Sequence, residues 1–144
     1  MDLYIYTDGA SRGNPGRSAS GYIILDDSNK LLSKEIFYDG RKTNNFAEYM
    51  AIIAALEKAA QLYGYENNII LTSDSELVIK QINGIYKVKD KHLKVLNKRA
   101  KNLAKSFKSC RFQNAKRANK YISLVDKELN RLLDKMKDNN LNNK

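Results

Sequence analysis

Apolar and polar residues alternate through "LYIYT" (3–7), the period of a half-buried strand, and the turn-rich run "DGASRGNPG" (8–16) predicts that the strand ends at Asp8. Two more strands follow, "ASGYIILD" (19–26) and "LLSKEIFYD" (31–39). The tight polar link "DDSNK" (26–30) makes them antiparallel neighbours. In "TNNFAEYMAIIAALEKAAQLYG" (43–64) the period becomes helical, with Thr43 or Asn44 as N-cap, Gly64 as the stop, and Ala47, Met50, Ala51, Ala54 and either Ala55 or Leu56 on the apolar face. "NNIILTSDS" (67–75) is continuously apolar at its centre, which predicts a strand interior to a sheet. A short helix (75–84) is capped by Ser73 or Ser75, and a longer one (90–107) carries Leu93, Leu96, Ala100, Leu103 and Phe107 as its apolar stripe. "CRFQNA" (110–115) is a fifth strand and "ISLVDKELNRLLDKMK" (122–137) a last helix. The polar tail "DNNLNNK" (138–144) is expected to be disordered.

The order βββαβααβα describes one mixed α/β sheet flanked by helices, in a single domain over 1–137. A helix separates the third and fourth strands, so a right-handed parallel crossover is expected. With 144 residues, 42% of them hydrophobic, the chain can bury a core without disulfides or a structural metal. The lone Cys110 cannot close an intramolecular bridge and is read as a strand filler in a reducing compartment. No basic-apolar leader is visible, and no apolar run approaches the ~18 residues of a membrane span. A soluble, cytoplasmic protein is the expectation.

Charge changes the picture once it is located. The net charge is +10, yet thirteen Lys and Arg lie between Lys80 and Arg117 against one acid, Asp90, which leaves the rest slightly acidic. Such a block attracts a polyanion by steering and counterion release, nucleic acid being the common intracellular one. A solvated helix face explains the same block equally well.

Three acids stand at element ends. Asp8 closes the first strand, Asp74 closes the fourth, and Glu48 lies near the start of the long helix. Each has an ordinary explanation taken singly: a turn residue, a helix cap, a partner of the helix dipole. If strands one and four are parallel neighbours, however, the three meet in one crevice at the carboxyl rim of the sheet. Carboxylates crowded within ~4–6 Å destabilise the fold unless a cation joins them. Oxygen donors without His or Cys suit Mg²⁺ or Mn²⁺ rather than Zn²⁺, and a two-ion centre is suited to in-line attack on phosphate.

"YTDGASRGNPG" (6–16), "TNNFAEYMA" (43–51) and "SDSELVIKQINGIYKV" (73–88), in this order and spacing, resemble the type 1 ribonuclease H family over roughly the first 90 residues. The resemblance implies a ribonuclease H-like fold with a five-stranded sheet ordered 3-2-1-4-5. It also implies cleavage of the RNA strand of RNA/DNA hybrids by two Mg²⁺ ions, with Mn²⁺ as a substitute, leaving 5′-phosphate and 3′-hydroxyl ends. Carried over, Asp8, Glu48 and Asp74 match the family's first three metal-binding acids. Asp126 in "SLVDKELNRLL" is the best match to the fourth, with Glu128 and Asp134 as alternatives. One ion would lie between Asp8, Asp74 and Asp126 and the other between Asp8, Glu48 and Asp74. Gly9, Asn14, Thr43, Asn44 and Asn45 match substrate-contacting positions. The glycines and Pro15 would let the backbone after Asp8 turn sharply and approach a nucleic-acid strand.

The chain departs from the family pattern before Asp126, where "KRANKYISLVD" carries a few extra residues. No His lies in 109–121, so Lys116 or Arg117 is the expected electrostatic substitute for the family's loop histidine, and the sole His92 is read as a surface or capping residue. There is no Trp, and one basic helix stands in place of the basic protrusion. A monomer without a hybrid-binding domain is expected. Two other readings stay open: a DNA-directed nuclease of integrase or resolvase type on the same fold, and a non-catalytic nucleic-acid-binding module.

Overall fold

The computed structural model describes residues 1–115 and 119–142, and for 137–142 the course of the backbone alone. Strands β1 (Asp2–Gly13), β2 (Gly16–Leu25), β3 (Leu31–Lys42), β4 (Asn68–Ser73) and β5 (Ser109–Asn114) form one sheet in the order β3-β2-β1-β4-β5. β1 and β3 run antiparallel to β2, whereas β4 runs parallel to both β1 and β5. The expected mixed α/β topology, order 3-2-1-4-5, is therefore the observed one. Helices α1 (Asn44–Tyr63), α2 (Glu76–Ile82), α3 (Lys91–Ser106) and α4 (Lys120–Asn142) complete the fold.

Strand alternation sorts the helices into layers. Leu3, Ile5, Ile69 and Leu71 point to the face that α1, α2 and α3 cover, with Ile52, Leu56, Val78 and Leu96 among their partners. Tyr4, Tyr6, Ala19, Ile23 and Leu25 point to the other face, where Val125, Leu129 and Leu133 of α4 close a smaller core.

Three features differ from the sequence reading. β1 does not end at Asp8 but stays paired with β2 as far as Gly13↔Gly16. The ladder satisfies the backbone of Gly9 to Gly13, and that outweighs the turn propensity of the residues. Reversal is delayed to Gly13–Gly16, across a cis Asn14–Pro15 peptide, with Gly13 at φ +103°. A Cβ on Gly16 would lie 2.0 Å from the Arg12 carbonyl oxygen. Second, α1 has no single apolar stripe. It lies between the sheet and α3 and so buries Tyr49, Ile52 and Ile53 on several sides, while Met50 and Ala54 are only half-buried. Third, α4 extends to Asn142, so the segment expected as a polar tail coincides with its last turns, and 143–144 lie outside the described residues.

Candidate active site

The site begins where two parallel strands part. β4 accompanies β1 only to the pair Thr7↔Ser73, after which β1 continues against β2 alone and the chain after β4 enters α2. Asp8 and Asp74 are the next residue on each side, placed at the split that parallel sheets use for ligands. Asp74 is not the cap of α2. Ser75 is, its Oγ accepting from Val78 N.

Glu48 reaches the split from α1. Thr43 caps that helix, its Oγ1 accepting from Phe46 N at 3.1 Å. The helix can lie directly on β1 because Gly9 has no side chain: a Cβ there would be 2.4 Å from the Ala47 carbonyl carbon and 2.5 Å from Glu48 N. Gly9 N–H donates to Glu48 Oε1 at 2.8 Å and to Asp8 Oδ1 at 2.9 Å, and Ser73 Oγ donates to Glu48 Oε2 at 3.3 Å. Gly9 thus has a packing role that was not expected of it, and it also lines the acidic cavity. Carboxylate oxygens of Asp8, Glu48 and Asp74 consequently lie within 4.8 Å of one another, with Asp8 4% and Glu48 6% exposed.

Burial pushes the Asp8 carboxyl far above the usual carboxylate range, and Glu48, Asp74 and Asp126 add repulsion. Glu48 is also raised by burial, but hydrogen bonds from its partners oppose the shift. Such a group of acids calls for a cation. Its donors are all oxygens, with no His or Cys in the cluster, which fits a hard divalent ion of the Mg²⁺ or Mn²⁺ kind.

Of the three acids weighed on α4, Asp126 alone lines the open cavity of about 660 Å³ into which Asp8, Glu48 and Asp74 face. Glu128 is turned onto β3, where its Oε1 accepts from Lys34 Nζ at 2.9 Å, and Asp134 pairs with Arg12 at 2.9 Å. The helix places Asp126 and Asn130 one turn apart on the cavity side while Val125, Leu129 and Leu133 face the core. Arg12 and Asn130 were not singled out from the sequence; only the length of β1 brings them together.

Of the candidate substrate residues, Gly9, Asn44 and Asn45 line the acidic cavity. Asn14 Oδ1 accepts from Asn44 N at 3.1 Å, and Asn44 Oδ1 accepts from Ser11 N at 2.7 Å. Both amide oxygens are thereby engaged, so each side chain offers a ligand its Nδ2 donor. Asn45 lines both the acidic cavity and a second one of about 470 Å³, which also includes Asn14, Thr43 and His92. His92 is exposed and caps nothing; Asp90 is the cap of α3. Lys116 and Arg117 lie outside the described residues. Cys110 is half-buried, and burial pushes its thiol up to about 12, so it is no nucleophile.

Strand order and acid cluster together define a ribonuclease H-like protein with a carboxylate metal centre. Residues 6–123 match the family described as reverse transcriptase-like. Ribonuclease HI of Halobacterium salinarum is 42% identical over 105 residues, 73% of this chain and 52% of that protein. The crystal structure of RNase H1 from the same halophile superposes with TM-score 0.80 at 37% identity, covering 87% of this chain and 94% of the other. LC11-RNase H1, from compost and solved in complex with RNA/DNA hybrid, gives TM-score 0.79 at 32% identity over 91% and 99% of the two chains. The N-terminal RNase H domain of a bifunctional Mycobacterium tuberculosis protein gives 0.85 at 33% identity over 93% and 94%. The chain belongs to the ribonuclease H1 family. It spans about half of the Halobacterium relative and about a third of the mycobacterial one.

Proposed function

We propose that this chain is a divalent-metal-dependent endonuclease hydrolysing the RNA strand of RNA/DNA hybrids to 5′-phosphate and 3′-hydroxyl ends. One observation carries the reading: a buried, self-repelling acid trio stands at the parting of β1 and β4, in a chain whose backbone superposes on an RNase H1 solved with a hybrid. Asp8, Glu48, Asp74 and, from the opposite side, Asp126 would hold two divalent ions. When bound, the ions lower the pKa of a water and neutralise charge on the phosphate.

The protein's own part is placement. Gly9 N–H and Ser73 Oγ each fix one oxygen of Glu48, so that carboxylate does not rotate. The Nδ2 donors of Asn14 and Asn44, with Asn45 beside them, suit minor-groove acceptors, 2′-hydroxyls and phosphate oxygens, none of which identifies a base. Function as a cytoplasmic monomer belongs to the same proposal; among the described residues no helix is long and apolar enough to cross a membrane.

A labelled hybrid, a duplex DNA and a branched DNA, each incubated with Mg²⁺ or Mn²⁺, test the reading. Cleavage confined to the RNA strand of the hybrid is expected. Cutting of the DNA substrates would show a DNA-directed nuclease, and binding without cleavage under both ions would show a non-catalytic module.

A further inference from the structure

α4 carries Asp126 on the face of β1 occupied in turn by Tyr4, Tyr6, Asp8, Ala10 and Arg12. Besides the apolar core that Val125, Leu129 and Leu133 share with the sheet, two attachments tie α4 to β1, one on each side of Asp126. Before it, the Tyr121 ring packs on Tyr6 with centroids 4.8 Å apart. After it, Arg12 Nη2 donates to Asn130 Oδ1 at 3.0 Å and to Asn130 O at 3.3 Å, while Arg12 Nη1 pairs with Asp134 at 2.9 Å. Asn130 Nδ2 in turn donates to the carbonyl oxygen of Asp126 at 3.0 Å. Between the attachments two acids face each other, and their repulsion drives α4 away from β1. The guanidinium opposes that force one turn beyond Asp126.

We propose that Arg12, acting through Asn130, is a positioning residue that sets how closely Asp126 approaches Asp8 and so completes the cation site from α4. The proposal rests on the reading of Asp126 as a metal-holding acid. Arg12 is not a general brace of the fold: its side chain is 33% exposed and that of Asp134 67%, a setting in which an ion pair contributes little stability. Its geometric contribution is larger, because the planar fork holds Asn130 with one nitrogen and Asp134 with the other, which fixes direction as well as distance.

The test is calorimetric titration of the metal-free protein with Mn²⁺, alongside kcat and KM on the labelled hybrid. Arg12→Ala should bind Mn²⁺ about 10-fold more weakly, the scale typical of groups that orient metal ligands. It should lose a similar factor in kcat and leave KM and the melting temperature nearly unchanged. Arg12→Lys, which keeps the charge but not the fork, should recover only part of the loss. Asn130→Ala, which leaves the Arg12–Asp134 pair in place, should weaken Mn²⁺ binding as well. Asp126→Asn separates the positioning role from the metal-holding role. Wild-type Mn²⁺ affinity in Arg12→Ala or Asn130→Ala, with weakened affinity in Asp126→Asn, overturns the positioning role and spares the reading of Asp126. Wild-type affinity in Asp126→Asn overturns both.

Discussion

The acid cluster and the basic helix α3 are both strongly charged, and they treat charge in opposite ways. Asp8 and Glu48 are almost wholly buried and press against like charge. Lys94, Lys98 and Lys105 on α3 stand in solvent, and the ion pair of Arg99 with Glu57 lies half in water. Buried like charge stores repulsion that a cation relieves, so it is costly wherever it is not used. Exposed like charge is screened within about 10 Å, which makes it cheap to carry and effective only towards a large polyanion. Chemistry is thus expected to reside in the first region and attraction in the second. A net charge of +10 conceals both.

The strongest way to break this division is to neutralise the cluster. Asp8→Asn or Asp74→Asn should reduce cleavage by about a thousandfold or more, since divalent ions supply several kcal/mol to such transition states at about 1.4 kcal/mol per decade. Hybrid binding, measured in Ca²⁺ or without metal, should change little. Without divalent ions Asp8→Asn should also melt higher than the natural protein, because it removes a buried carboxyl whose ionisation the fold opposes. A variant that binds poorly but cuts at the natural rate would reverse the assignment.

The same stored repulsion sets a pH dependence. Asp8 and Glu48 keep their protons to higher pH in the folded protein than in the unfolded chain, so the folded state binds more protons. Their contribution to stability is complete below the ordinary carboxylate range and is lost as pH rises through the raised folded values. Melting of the metal-free protein should therefore weaken from pH 5 to pH 8, by about 2–3 kcal/mol. Saturating Mg²⁺ should flatten the profile. A flat profile without metal contradicts the repulsion itself.

Much of this was legible in the sequence. The alternation of Leu3, Tyr4, Ile5 and Tyr6 shows the two faces of β1, and Asp8 and Asp74 at the ends of apolar runs mark the sheet rim. Element identity in these stretches follows from local period and apolarity, which residues express individually. The course of β1 beyond Asp8 was not legible, because Gly9 to Gly13 are held extended by pairing with a strand whose own limits depend on that pairing. The contact that this extra length creates was hidden too. Arg12 and Asn130 stand 118 positions apart, and neither belongs to a pattern in its own segment. The packing role of Gly9 was not legible either, since a close approach by α1 leaves no local trace except the absence of a side chain.

The basic region is broken more gently. Changing Lys94, Lys98 and Lys105 together to Gln should weaken hybrid binding about 10-fold at low salt, and the slope of log K against log salt should fall by up to about three if each side chain neutralises one phosphate. Turnover at saturating hybrid should stay near the natural value. Unchanged affinity and slope would mean that α3 is a solvated face and that attraction comes from elsewhere in the block.

Asp39 gives the finest contrast, since it is an acid half-buried without acidic company. It accepts from Ser20 Oγ, which also contacts the Ala47 carbonyl oxygen at 2.7 Å, beneath the first turns of α1. Burial pushes it up to about 6, against the pull of Ser20 and Lys42. Its contribution to stability is therefore full below about pH 4 and lost as pH rises through 6. Asp39→Asn should then stabilise the protein above pH 7 by about 1 kcal/mol once access of water is allowed for. Because no second acid faces it, the variant should keep the natural response to Mg²⁺, whereas Asp8→Asn loses that response. If the two variants lost it alike, burial shared by both acids would account for the response, and the crowding of several carboxylates would no longer explain the site's need for a cation.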